Sequence, residues 1–212
     1  MNDSTAGIKL LAAVIGFWII MRALNRDHSG RTLANYLTGT SGSASAVLAS
    51  PPGSAGNPIG KPNAKGMVNP IPGSTGSRLD QGFDVTGKQF LSPYAGTVVV
   101  SEVSDSGWGG GGYVAVENAS NPKQITYFAE GLTPLVQAGQ KVVAGQAIGR
   151  PSLNPYNGIT GNIEIGPANP GNPYQPLAQA TANAAGAVTS FYNWLRSLGA
   201  PAASSTSNVG RA

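Results

Sequence analysis

Three acidic residues, Asp80, Asp84 and Glu130, are the candidates for chemistry in this 212-residue chain. Their carboxylates could supply oxygen ligands, which suit Ca²⁺ or Mg²⁺ better than zinc. Zinc is held mainly by Cys and His side chains, and the chain has one histidine, His28, and no cysteine. The other interpretation of the three acids is that they are exposed loop residues or structural hydrogen-bond acceptors.

The cysteine count excludes a disulfide framework, a thiolate metal site and a cysteine nucleophile. The net charge of +4 belongs to residues 1–76, because residues 77–212 hold seven basic and seven acidic side chains. A nucleic-acid-binding domain usually concentrates basic residues on its folded part. We therefore expect no nucleic-acid partner, and we interpret His28, in a polar stretch of that arm, as a solvated residue.

Residues 1–37 are predicted to form an N-terminal apolar helix and arm. The apolar segment 6–24 reaches the roughly 17 residues needed to span a bilayer only if Lys9 and Arg22 extend their charges to the interface. Three interpretations stay open: a membrane anchor, a helix buried in a protein assembly, or a cleaved signal peptide. As an anchor, its flanking charges would put the C-terminal side in the cytoplasm.

Composition divides the rest of the chain into four parts. Residues 38–76 are rich in Gly, Ser and Pro and are predicted to be an extended linker. Short apolar runs separated by Gly, Pro and Asn in residues 77–177 predict a compact domain that is mainly β. The apolar spacing in residues 178–199 predicts a C-terminal amphipathic helix, and residues 200–212 are expected to be a disordered tail. The predicted strand runs are Gly96–Val103, Tyr113–Glu117, Gln124–Ala129, Lys141–Ile148 and Asn162–Ile165.

Two acidic candidates fall in recognisable motifs. Residues 80–84 read D-Q-G-F-D and match the ligand motif H-x-G-x-D, with Asp80 in place of the histidine and Asp84 retained. Residues 126–130 read T-Y-F-A-E and parallel the motif Y-x-H-L, with Glu130 at or next to the position of the histidine.

A third motif and a glycine signature complete the pattern. Residues 160–164 occupy a slot that reads H-L-H-F-E, with Thr160 and Asn162 where the two histidines would stand. Residues 136–149 reproduce a v-x-x-G-x-x-V-x-x-G-x-x-I-G signature. On these motifs, residues 76–177 resemble the lysostaphin-type (LytM-domain) zinc endopeptidases that cut peptide cross-bridges in peptidoglycan.

The resemblance implies a lysostaphin-like β domain, with the duplicated hybrid motif, that has lost its zinc ligands. The family holds its metal through His, Asp and His, and these positions carry Asp80, Asp84 and Asn162 here. The two remaining histidines, which position water and stabilise the developing oxyanion, correspond to Thr160 and Glu130. Zinc hydrolysis needs a metal-bound water whose pKa is lowered to about 7. We therefore expect these five residues to be vestigial family positions, with no catalytic residue, metal or cofactor.

The glycine run 109–112 lies between Trp108 and Tyr113. Phosphate loops lead into a helix and carry a Lys-Ser/Thr pair, whereas this run leads into a strand-like segment. It is predicted to be a hairpin tip. Trp108 and Tyr113 at its base are either contacts for a partner or glycan, or packed side chains.

These observations favour a non-catalytic structural or binding protein with an inactivated peptidoglycan-endopeptidase-like domain. By analogy, we expect a component of a phage virion, in the tail or tail tip, whose partners are other virion proteins. One alternative is a membrane-anchored adaptor of the bacterial envelope that binds peptidoglycan or an amidase, with membrane contact through residues 6–24. Another is an active cell-wall hydrolase with an acidic metal site at Asp80, Asp84 and Glu130.

Overall fold

A computed structural model of the chain describes residues 60–105, 108, 111–153, 158–181, 184–207 and 209. The predicted apolar helix at 6–24 and most of the predicted linker lie outside these residues. Among the described residues, no helix is long and apolar enough to cross a membrane.

The described domain is mainly β, as predicted. The short apolar runs form strands because successive side chains of a strand point to opposite faces of the sheet. Their β-branched and aromatic residues pack well at such positions. In chain order the strands are β1 (Thr75–Leu79), β2 (Phe83–Thr86), β3 (Phe90–Leu91), β4 (Gly96–Asp105), β5 (Gly111–Asn118), β6 (Asn121–Glu130), β7 (Leu132–Pro134), β8 (Lys141–Val142), β9 (Ala147–Pro151), β10 (Asn162–Asn169), β11 (Asn172–Pro176) and β12 (Ser205–Thr206). The helices are α1 (Leu177–Ala180) and α2 (Ala185–Ser197).

The larger sheet has the strand order β12-β1-β2-β10-β6-β5-β4-β8, with β11 also paired to β10. A smaller sheet has the order β3-β9-β7. Neighbouring strands are antiparallel except for β12, which runs parallel to β1. Strand β10 lies between β2 and β6, so segments that are far apart in the sequence become neighbours at the centre of the sheet.

The two faces of the larger sheet have different cores. The larger core includes Phe83 and Val85 of β2 and is packed against the buried residues of α2, which are Val188, Phe191 and Leu195. The smaller core, on the other face, contains the aromatic residues Trp108, Tyr113 and Tyr127. Asp84 lies between Phe83 and Val85 in the alternation of β2, so its side chain is on the face of the smaller core.

The structure differs from the predicted linker 38–76 at its C-terminal end. Val68 and Ile71 are buried in the larger core, and β1 already begins at Thr75. The Val68 N–H donates to the Pro93 carbonyl at 2.9 Å. Composition predicts a linker here because a short stretch, residues 67–71, attaches the segment to the domain among many small and polar residues.

The C-terminal region also differs from the prediction. The single helix expected over residues 178–199 is divided into α1 and α2. Residues 200–207 follow the domain surface, where Ser204 N–H donates to the Ser77 carbonyl at 2.9 Å and Ser207 N–H to the Leu79 carbonyl at 3.0 Å. A polar, exposed segment can be ordered in this way because its backbone completes a sheet edge, which its composition does not reveal.

Candidate functional site

The turn between β1 and β2 carries the first two acidic residues of the site. Asp80 follows β1; its backbone N–H donates to the Gly82 carbonyl at 3.0 Å, and its Oδ1 accepts from the Gln81 N–H at 2.8 Å. Asp84 is the second residue of β2 and is 8% exposed. The turn therefore brings two carboxylates of the D-Q-G-F-D motif to one edge of the smaller core.

Strand pairing adds Glu164 to these two residues. In the sheet register, Glu164 of β10 is opposite Asp84 on one side and opposite Ala129 of β6 on the other. Carboxylate oxygens of Asp80, Asp84 and Glu164 all lie within 4.8 Å of one another. We call these three residues the acidic cluster.

Glu164 was not among the candidates predicted from the sequence. A local signal was present, because a glutamate between Ile163 and Ile165 is an acidic residue inside a buried apolar strand. Such a residue requires a hydrogen-bonding partner or an ion. Its neighbour Asp84, however, is 80 positions away in the chain, and only the register of the sheet brings the two together.

Arg78 supplies the positive charge of the site. Its Nε lies 2.9 Å from Oδ2 of Asp80 and 2.9 Å from Oδ2 of Asp84. The side chain is 50% exposed, whereas those of Asp80 and Asp84 are 17% and 11% exposed. The Asp84 charge, followed by that of Asp80, raises the pKa of Arg78 against the lowering effect of its own burial. Arg78 was also absent from the sequence-based candidates.

Tyr127 holds the third carboxylate. Its hydroxyl donates a hydrogen bond to Oε1 of Glu164, and both side chains are buried. Gly82 makes this arrangement possible, since a Cβ at that position would lie 2.5 Å from the Tyr127 hydroxyl oxygen. The glycine of the D-Q-G-F-D motif therefore has a steric role in the site.

Tyr127 packs against two other aromatic rings, those of Tyr113 and Trp108. The rings of Tyr113 and Tyr127 are parallel within 7°, with centroids 5.8 Å apart, and Trp108 packs at 5.8 Å and 5.6 Å from them. Trp108 is 7% exposed and Tyr113 is fully buried. A contact of these two residues with a partner stays a prediction; in the structure they belong to the smaller core.

Glu130 ends β6 in an unusual backbone conformation. Its φ of +78° makes it the non-glycine residue with a positive φ in the described part of the chain. Side chains disfavour this left-handed region, and such residues concentrate at functional sites. Strict alternation would put Glu130 on the opposite face from Ala129, and the change of φ interrupts that alternation at the end of the strand.

Burial raises the pKa values of three carboxyl groups in the site, those of Asp84, Glu130 and Glu164. It raises the pKa of Asp84 to about 6, with a further increase from the Asp80 charge and a partial decrease from Arg78. Burial, followed by the Asp84 charge, raises the pKa of Glu130 to about 8. Burial also raises the pKa of Glu164 well above its usual range, although the hydrogen bond from Tyr127 opposes this. The fold therefore favours protons or cations at these carboxyl groups.

Thr160 and Asn162 lie before and at the start of β10. Thr160 is exposed, and Asn162 is half-buried and pairs with Thr86 in the register of the sheet. The Asn162 carbonyl accepts from the Gly131 N–H at 2.8 Å. In the part of the chain that the structure describes, neither side chain forms a hydrogen bond with the acidic cluster.

The residues of this site do not fit the zinc ion that lysostaphin-type endopeptidases bind. The acidic cluster offers only oxygen atoms, while zinc in proteins is bound chiefly by imidazole and thiolate groups. In addition, the guanidinium group of Arg78 contacts the two aspartates that would have to bind the metal. No catalytic step through zinc follows from this arrangement.

Comparison with known proteins gives similarity to solved structures only. No protein-family model and no curated protein matches the chain. Similar solved structures include a chain of the SpoIIQ–SpoIIIAH pore-forming complex, with 29% identity, a TM-score of 0.34, and coverage of 43% of this chain and 58% of that one. They also include a Pseudomonas aeruginosa protein assigned to peptidase family M23, with 20% identity, a TM-score of 0.38, and coverage of 52% and 48%.

A zinc-containing peptidase from Vibrio cholerae is similar at 22% identity and a TM-score of 0.33, over 43% of this chain and 29% of that one. Peptidases are thus among the structures that the chain resembles. The TM-scores are all below 0.5, and the chain spans less than two thirds of the length of each of these structures. The predicted place in a phage virion has no support among these similarities.

Proposed function

We propose that this domain is a non-catalytic structural or binding module, built on a peptidase-like β scaffold. The observation that carries the proposal is the ion pair of Arg78 with both Asp80 and Asp84, at 2.9 Å each. The two aspartates at the family's ligand positions are already bound by a cation of the chain itself.

Glu164, Glu130 and Thr160 do not supply the catalytic functions that zinc and histidines have in lysostaphin-type endopeptidases. Peptide hydrolysis in this class requires an activated water and stabilisation of the oxyanion that forms. Glu164 accepts a hydrogen bond from Tyr127, and Glu130, with a pKa of about 8, is mostly protonated at pH 7. Thr160 is exposed, and among the described residues its hydroxyl forms no hydrogen bond with the acidic cluster.

The binding partner that we propose is a component of a bacterial envelope, either another protein or peptidoglycan itself. The balanced charge of residues 77–212 supports this choice over nucleic acid. A virion component is the other location predicted from the sequence. Fractionation of native membranes and particles, followed by detection of the full-length chain, distinguishes the two locations.

An assay on purified cell walls tests the absence of catalysis. The full-length protein is incubated with peptidoglycan sacculi in the presence of Zn²⁺, Ca²⁺ or Mg²⁺, and turbidity and released peptides are measured beside an active lysostaphin-type enzyme. We expect no loss of turbidity. The same sacculi are then sedimented to measure binding, which should be equal for the wild type and for Asp84→Asn.

The second candidate function is hydrolysis at an acidic metal site. One observation favours it: three carboxylates lie within 4.8 Å, and strongly shifted pKa values are typical of active sites. This candidate predicts metal-dependent loss of turbidity that Asp84→Asn abolishes, and that result would refute the non-catalytic proposal.

A further inference from the structure

The acidic cluster requires a compensating positive charge. Two carboxylates that converge within a few ångströms repel each other, and burial increases the repulsion. In a metalloprotein a divalent ion supplies the compensation. Here Arg78 Nε is equally distant, at 2.9 Å, from one oxygen of Asp80 and one of Asp84.

We propose that the guanidinium group of Arg78 takes the place of a metal ion as the permanent cation of the acidic cluster. The proposal deepens the non-catalytic function proposed above and rests on the same site. It explains why an aspartate at position 80, which adds a negative charge beside Asp84, is compatible with a folded domain.

Arginine has the chemical properties for this role. Its guanidinium stays charged at all physiological pH values, and the charge is delocalised over a rigid plane. Its Nε edge therefore compensates two carboxylates that lie against it at 2.9 Å each. The third carboxylate of the cluster, Glu164, has a separate donor in Tyr127. The three acidic side chains thus all receive hydrogen bonds from residues of the chain.

The fold positions Arg78 from both sides. Its strand β1 pairs with β2 on one side, and on the other side Arg78 is opposite Ser205 of β12 in the register. Asp80 is two positions after Arg78, directly after the end of β1, and the two side chains meet at 2.9 Å. The C-terminal strand therefore helps to fix the backbone from which the cation extends.

One carboxylate oxygen of the acidic cluster is not paired with Arg78 or with another donor among the described residues. Oδ1 of Asp84 is buried and has no hydrogen-bond partner among the described residues. If the guanidinium is removed, the carboxylate oxygens of Asp80, Asp84 and Glu164 form an oxygen-only ligand set. Such a set suits Ca²⁺ or Mn²⁺ rather than zinc. The proposal therefore predicts that loss of Arg78 creates a divalent-cation site that the wild type lacks.

The experiment compares Arg78→Gln with Arg150→Gln in the full-length chain. Arg150 is an exposed arginine on β9, in the smaller sheet, and so controls for the loss of one positive charge. Binding of Ca²⁺ and Mn²⁺ is measured by calorimetry and by the shift of the unfolding temperature. For Arg78→Gln we expect one ion with a Kd of about 10⁻⁴–10⁻³ M, the range of weak protein Ca²⁺ sites. For the wild type and Arg150→Gln we expect affinities at least about tenfold weaker.

A double variant, Arg78→Gln with Asp84→Asn, removes one charge of each sign. We expect it to fold without added ions and to lose the new affinity. If Arg78→Gln is unfolded without ions, the titration is followed by circular dichroism, and refolding on addition of Ca²⁺ or Mn²⁺ supports the proposal. The proposal would be overturned if the double variant folds but Arg78→Gln stays unfolded at every concentration of Ca²⁺ or Mn²⁺.

Stoichiometric ion binding by the wild type with the affinity of Arg78→Gln would also overturn the proposal. The ion-binding results do not affect the turbidity assay. The role of Arg78 and the non-catalytic function can therefore be refuted independently. A wild type that degrades sacculi refutes the non-catalytic function. A wild type that is inactive, together with an Arg78→Gln variant that folds but binds no ion, refutes only the role of Arg78 as a replacement cation.

Discussion

The stability of this domain should fall as the pH rises from 5 to 9, and Glu130 should cause a measurable part of the fall. Its pKa is raised from the ordinary value of 4.5 to about 8 in the folded protein, mainly by burial and then by the Asp84 charge. Between these values the folded state keeps a proton that the unfolded state has lost. Because the folded state binds more protons in this interval, the free energy of unfolding decreases with increasing pH.

The size of the effect follows from the interval between the two pKa values. At about 1.4 kcal/mol per pH unit, the change from 4.5 to about 8 corresponds to about 5 kcal/mol at full burial and without relaxation. Water entry and movement of side chains reduce such penalties. We therefore expect that replacing Glu130 with glutamine, which cannot ionise, stabilises the protein by about 1–3 kcal/mol at pH 9 relative to the wild type, with little difference at pH 4.5.

Urea unfolding of full-length wild type and Glu130→Gln from pH 4.5 to 9 measures this difference. The comparison isolates Glu130, since Asp84 and Glu164 also have raised pKa values and contribute to the pH dependence of both proteins. Glu117→Gln on β5, outside the acidic cluster, is the control for the loss of one glutamate from the same sheet. Parallel pH profiles for wild type and Glu130→Gln would refute the reasoning, as would a wild-type stability that rises from pH 6 to 9.

Two substitutions and one truncation test the packing around the site by urea unfolding. Tyr127→Phe removes the hydroxyl that donates to buried Glu164 and should lower the free energy of unfolding by about 1–3 kcal/mol; an unchanged stability would show that water replaces the donor. Trp108→Ala should cost about 3–5 kcal/mol, because the indole is 7% exposed and packs on two tyrosines, whereas a residue used only for partner contact would lower binding and leave stability unchanged. Deletion of residues 200–212 removes the backbone hydrogen bonds to β1 and should cost about 1–3 kcal/mol; a truncated chain as stable as the full one would contradict the role of β12 in holding that edge.

Local patterns were sufficient to predict the four longest strands, β4, β5, β6 and β10, whereas the predicted run Lys141–Ile148 is divided between β8 and β9. The run Gln124–Ala129 lies within β6, and the run Gly96–Val103 lies within β4. Their β-branched and aromatic residues determine a strand through interactions between near neighbours, which one sequence contains. The order of strands in the sheet is set by contacts over long separations, and the pairing of β10 with both β2 and β6 is of this kind.

The candidate site was predicted in part for the same reason. Asp80 and Asp84 share one short motif, so their proximity is a local property of the β1–β2 turn. Glu164 joins them only through the register of β10. Glu130 was selected from its motif, which gives no signal of its positive φ at the end of β6. Gly111 lies close to its backbone, since a Cβ at that position would lie 2.0 Å from the Glu130 carbonyl oxygen.

The importance of Arg78 is missed when only the net charge is considered and not the position of the charge in the fold. In the sequence it is one of seven basic residues that balance seven acidic ones in residues 77–212. Its position two residues before Asp80, on a strand with alternating side chains, was the available signal that the two lie on the same side. The net charge of a domain does not indicate whether its carboxylates are paired, because pairing depends on short distances and burial. In this domain, one half-exposed arginine at 2.9 Å from two aspartates has more influence on the chemistry of the site than the overall neutrality of the fold.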